Sequence, residues 1–126
     1  MDTHNLTMKR VYDKAEEEEG YRILVDRIWP RGVSKEKANI DEWAKEITPT
    51  PIIRKEFDHQ PQKFDWFKQA YWAELESNPH IEAFLNQVVK QLQDTPVTFV
   101  YAAKDEQFNH VVILIDYIKT KKGISY

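Results

Sequence analysis

The chain has no cysteine, which rules out both a disulfide framework and a thiolate metal site. Glycine occurs only at positions 20, 32 and 123, so neither a P-loop nor a dinucleotide glycine fingerprint can be present. The histidines at 4, 59, 80 and 110 are scattered without metal-ligand spacing, and "DH" at 58–59 is too short a pattern for a metal pair. No serine stands in a nucleophile-elbow setting. No cofactor and no metal are therefore expected. Long apolar runs are also missing: "VVILI" at 111–115 is the longest and cannot span a bilayer. The first ten residues, "MDTHNLTMKR", lack the apolar stretch of a secretory signal. Nor is there a basic excess: the formal net charge is −3, so holding nucleic acid would require a local patch. A cytoplasmic protein with no membrane partner is the expectation.

What is present suits one domain. A chain of 126 residues buries a core unaided, and 13% aromatic content supplies much of it. Strand signals fall at "LTMKRVY" (6–12), "YRILVDRIW" (21–29) and "VTFVYAA" (97–103). The first has the mixed polarity of an edge strand; the third is apolar enough to be covered on both faces. The acidic run "DKAEEEEG" between the first two reads as a solvated loop. From Trp29 to Pro96 the pattern is helical. "NIDE" at 39–42 has capping-box spacing and predicts a short helix through Trp43 and Ile47. Thr50 and Pro51 predict a helix over 50–57. Phe64, Phe67, Tyr71 and Leu75 stripe a helix over 62–76; Ile81, Phe84, Leu85, Val88 and Leu92 stripe another over 78–92. A last helix is predicted over 104–122, with Asp105 as its cap, a face of Phe108, Val112, Ile115 and Ile118, and lysines at its end. This order predicts an α/β fold: a small, mostly parallel sheet flanked by helices in a single domain.

In open α/β sheets ligands gather beyond the carboxyl ends of the strands. Two unusual segments fall there, "DRIWPRG" after the second strand and "AAKDEQFNH" after the third. If those strands are parallel, Asp26, Arg27, Arg31, Lys104, Asp105, Asn109 and His110 collect at one end, beside a helix N-terminus. Guanidiniums and an ammonium together make an anion site for phosphate or carboxylate. Arg27 equally suits an ion pair with Asp26 or Asp105, and Lys104 an exposed strand end. Trp29 suits either stacking on a flat ligand or sealing the core edge. His110, in the second turn of the last helix, has the chemistry to accept or relay a proton, as does Asp105.

The segments "VDRIWPRG", "WAKEI", "RKEF", "YWAEL" and "FVYAAKDEQFNH" together resemble the YeaO-like family of small bacterial proteins, grouped under domain of unknown function 488. The resemblance runs from "KRVYD" at 9–13 to the final helix. It points to Asp26, Arg27, Trp29, Pro30, Arg31, Gly32, Trp43, Lys45, Lys104, Asp105, Asn109 and His110, with Arg54 and Phe57 keeping the pattern. It implies an α/β domain but supplies no reaction, and Lys45 and Arg54 would add to a cationic pocket if their helices start at that end.

The leading expectation is a site for a small phosphorylated or nucleotide-like anion, with or without turnover. Arg27, Arg31 and Lys104 would hold it, Asn109 would orient it, and Asp105 or His110 would carry a proton in any reaction. Two alternatives are a nucleic-acid or protein-binding module on the same basic edge, and a purely structural charge network.

Overall fold

In the computed structural model, which describes residues 4–13 and 19–123, the apolar segment at 97–101 lies inside a parallel sheet. Strands β1 (Leu6–Arg10), β2 (Tyr21–Leu24), β3 (Glu42–Trp43) and β4 (Val97–Tyr101) stand in the order β1-β4-β2-β3, and every neighbouring pair is parallel. The predicted α/β fold with a mostly parallel sheet is the one observed. β1 is an edge strand, and every residue of β4 is buried. The register pairs Tyr21 with Val97 and Leu24 with Val100, so β2 and β4 end side by side. The part of the acidic run from 14 to 18 lies outside the described residues.

Strand alternation divides the core in two. Ile23, Val25, Val97, Phe99 and Tyr101 face the larger cluster, built with the helices after residue 50; Leu24 and Val100 face a smaller one with Val11 and Ala38. Helices α1 (Lys35–Ala38), α2 (Pro51–Phe57), α3 (Phe64–Ser77), α4 (Ile81–Asp94) and α5 (His110–Lys122), with short 3-10 helices at Lys45–Ile47 and Pro61–Lys63, complete the described elements. α3 packs on α2 and α5, and α4 on α5 and β4. The predicted stripe of α4 is buried in full: Ile81, Phe84, Leu85, Val88 and Leu92. Phe67, Tyr71 and Leu75 of α3 are buried as well. Each such side chain contributes about 1.5–3 kcal/mol of transfer free energy. Among the described residues, no helix is long and apolar enough to cross a membrane.

Two predicted helix starts are corrected. Asn39 does not open a helix; at φ 50° it closes α1, whose N-cap is Ser34. The segment after it joins the sheet, because the N–H groups of Asp41 and Ala44 donate to the carbonyls of Arg22 and Leu24 (both 2.9 Å). Inter-strand bonding outweighs the capping-box signal there. The last helix begins at His110, not near 104, and its cap is Asn109, whose Oδ1 accepts from the N–H groups of Val111 (2.9 Å) and Val112 (3.1 Å). Its buried set, including Val111, Ile113, Leu114, Tyr117 and Ile118, is wider than the predicted stripe; Phe108 is exposed.

Gly20 opens β2 at φ 69°, and a Cβ there would lie 2.1 Å from the Pro96 carbonyl oxygen. Only glycine fits this junction, where the Tyr21 N–H donates to that same oxygen at 2.8 Å.

Candidate functional site

Beyond the paired ends of β2 and β4 opens a cleft of about 860 Å³. Its lining includes Asp26, Arg27 and Ile28 from the first segment, and Ala102, Ala103, Lys104, Asp105, Asn109 and His110 from the second. The parallel pairing brings these together, as a sheet of this kind should. α2 supplies a third wall with Pro51, Arg54, Lys55 and Phe57, continued by Asp58 and His59.

Asp26 ties the first two walls. It is only 8% exposed. Its Oδ2 accepts the Ala102 N–H at 2.8 Å, its own carbonyl accepts the Trp43 indole N–H at 2.7 Å, and its Oδ1 lies 3.3 Å from His110 Nε2. His110 Nε2 is also 2.6 Å from the Val25 carbonyl oxygen. A carbonyl only accepts, so Nε2 carries a proton in this arrangement. His110 is in the first turn of α5, where it latches helix to strand.

Arg27 secures the third wall. Its Nε and Nη2 donate to the carbonyls of Pro49 (3.3 Å) and Thr48 (3.2 Å), just ahead of α2. Behind it, Tyr71 donates to the Ile47 carbonyl at 2.6 Å. Burial pushes that phenol well above its ordinary value, Glu74 adds to the rise and Arg27 opposes it, so Tyr71 stays a neutral donor.

Asp105 organises the loop between β4 and α5. Its Oδ1 accepts the N–H groups of Gln107 and Phe108, both at 2.9 Å, and its carbonyl accepts from Asn109 Nδ2 at 2.8 Å. The N–H groups of Phe108 and Gln107 hold the carboxyl below its ordinary value of 3.8, with a smaller pull from His59. A carboxylate accepts better than a carboxylic acid, so this support is complete above 3.8 and lost as pH falls through the lower folded-state value. The Phe108 and Gln107 amide resonances should therefore titrate with a midpoint below 3.8. A midpoint at or above it would contradict the assignment.

Not every residue singled out in the sequence reaches the cleft. Trp29 is not part of its lining: the indole N–H donates to the Val33 carbonyl at 2.7 Å, and the ring meets Trp43 edge-on with centroids 5.5 Å apart. It seals the smaller core cluster. Arg31 is exposed on the turn and also stands outside the lining; its carbonyl accepts the Tyr12 hydroxyl at 3.2 Å. Lys45 lies over the Trp43 ring, 4.9 Å from its centroid, away from the cleft. Asn109 lines the cleft, but both ends of its amide bond the protein, and it takes up the N–H groups expected to serve an anion. Arg54 does join the site. Lys55, Asp58 and His59 were missed; adjacent cations before two left-handed residues, Asp58 and His59, are the only local signal of that wall.

Among the described residues no group of His, Asp or Glu side chains has the geometry to hold a metal ion, and Arg27, Arg54, Lys55 and Lys104 pair with no carboxylate. The cleft's own carboxylates are engaged elsewhere: Asp26 and Asp105 as above, and Asp58 by the side-chain amide of Gln60 at 3.4 Å. The site thus combines four cations that have no carboxylate partner among the described residues with apolar side chains and three carboxylates.

Residues 5–123 match the family model described as "Inactive DUF488-N3 subclade". The chain is 41% identical over 116 residues to the uncharacterized protein YeaO of Escherichia coli, covering 92% of this chain and 98% of that protein. It is 35% identical over 105 residues to uncharacterized proteins of Mycobacterium bovis and Mycobacterium tuberculosis, covering 83% of this chain and 86% of each. No solved structure matches it.

Proposed function

The chain belongs to the YeaO-like DUF488 family, in the subclade described as inactive, and on that footing we propose that it binds a small phosphorylated or nucleotide-like anion without turning it over. One observation carries this reading: Arg27, Arg54, Lys55 and Lys104 line one cleft and have no carboxylate partners among the described residues. The four cations outnumber the three carboxylates of the same lining, Asp26, Asp58 and Asp105, and an anion among them offsets the remaining positive excess. Arg54 of α2 and Lys104 of the segment after β4 are the principal grips, and Arg27 adds the guanidinium N–H groups not bonded to Thr48 and Pro49. Binding is favoured over turnover because Asp105 and His110, the two proton carriers, are occupied in holding the loop and the helix latch. We further infer a bacterial, cytoplasmic setting, supported by the bacterial relatives and a chain without cysteine.

The test is thermal unfolding of the wild type and of an Arg54→Gln/Lys104→Gln double variant with phosphates, nucleotides, sugar phosphates and carboxylates. A ligand at a hundred times its Kd stabilises by about 2.7 kcal/mol, a rise of several degrees. The expected result is such a rise in the wild type and its loss in the double variant. No rise with any compound, or the same rise in both proteins, would overturn the reading.

A further inference from the structure

We propose that the cleft selects a phosphomonoester attached to an apolar body over one attached to a polar body, and that Ile28 determines this selectivity. The inference rests on the anion-binding reading above and specifies what else the ligand must carry.

Three observations support it. First, the cleft of about 860 Å³ is far larger than a phosphate group needs, lying near the upper end of pockets that enclose whole organic ligands. A bare anion would leave most of that space to water. Second, the lining is amphipathic: Ile28, Pro51, Phe57, Phe67, Ala102 and Ala103 contribute apolar side chains to the same cleft as the cations. Third, Ile28 lines this cleft yet is 73% exposed. Its neighbours on either side are fixed, Arg27 by the Thr48 and Pro49 carbonyls and Trp29 by the Val33 carbonyl. The backbone between them is therefore pinned, and it holds an aliphatic side chain open to solvent at the edge of a cationic site. A ligand whose apolar portion covers Ile28 removes that surface from water, while a polar portion of the same size gains nothing from it.

Probes that share a phosphate group but differ in the attached body separate the two effects. Calorimetric titrations would use inorganic phosphate, glycerol 3-phosphate and phenyl phosphate at constant pH and ionic strength, with wild type, Ile28→Ser and the Arg54→Gln/Lys104→Gln double variant. Because Ile28 is largely exposed, Ile28→Ser should leave the melting temperature unchanged. The wild type should bind phenyl phosphate about tenfold more tightly than glycerol 3-phosphate, equivalent to about 1.4 kcal/mol. Ile28→Ser should reduce that preference to under about threefold while leaving glycerol 3-phosphate affinity in place. The double variant should lose all three probes. Equal affinities in the wild type, or a preference that survives Ile28→Ser, would overturn the selectivity and leave the anion site standing. Binding of none of the three would overturn both.

Discussion

Arg22→Met is expected to destabilise the chain by about 3–5 kcal/mol, because it removes one partner of a buried charge cluster and leaves the others in place. Arg22 is 1% exposed, on the face of β2 that meets α1. Its Nη2 donates to the Ala38 carbonyl at 2.9 Å, and its Nε is shared between the carbonyls of Ala38 and Asn39, both at 3.2 Å. Its Nη1 pairs with Glu19, which also pairs with Lys9. Methionine matches much of the volume and fills most of the space. It cannot donate, so the end of α1 loses its donors and Glu19 loses its buried partner. Chemical denaturation measures this directly. A loss under about 1 kcal/mol would mean that water replaces the guanidinium at no cost, contrary to the account.

Asp26→Ala is the second large effect, expected at about 2–4 kcal/mol. It takes the acceptor from the Ala102 N–H and the neighbouring carboxylate from His110, so both walls of the cleft lose their common tie. Asp26→Asn keeps an oxygen for Ala102 and should recover a good part of the stability. If Asp26→Ala melts like the wild type, the walls are held by other contacts and Asp26 has been misread.

The stretch "VDRIWPRG" shows how far such elements were legible. Long-range pattern was readable: β4 is uniformly apolar, and the stripes of α3 and α4 repeat at helical spacing, so burial follows periodicity. Side-chain purpose was harder. Asp26 and Arg27 read as ligand contacts, yet both also hold backbone groups of neighbouring segments. Trp29 and Arg31 share the turn with them but end outside the cleft, since a turn sends successive side chains in different directions. β3 was invisible because two residues give no period, and its pairing to β2 depends on Arg22 and Asp41 meeting across the sheet. Of the third wall only Arg54 was legible, and only on the condition that its helix starts at the strand ends. Nothing local to "RKEF" tells that α2 passes over the strand ends, because that placement follows from Arg27 gripping Thr48 and Pro49 some twenty residues away.

The most direct test of the central claim is a heteronuclear NMR titration of the wild type with phenyl phosphate, using sodium chloride at equal ionic strength as the control. The account predicts saturable shifts at the backbone amides of Arg27, Ile28, Arg54, Ala103 and Lys104, beyond those in chloride. Shifts no larger than the control, or confined to the lysines at the end of α5, Lys119, Lys121 and Lys122, would contradict it.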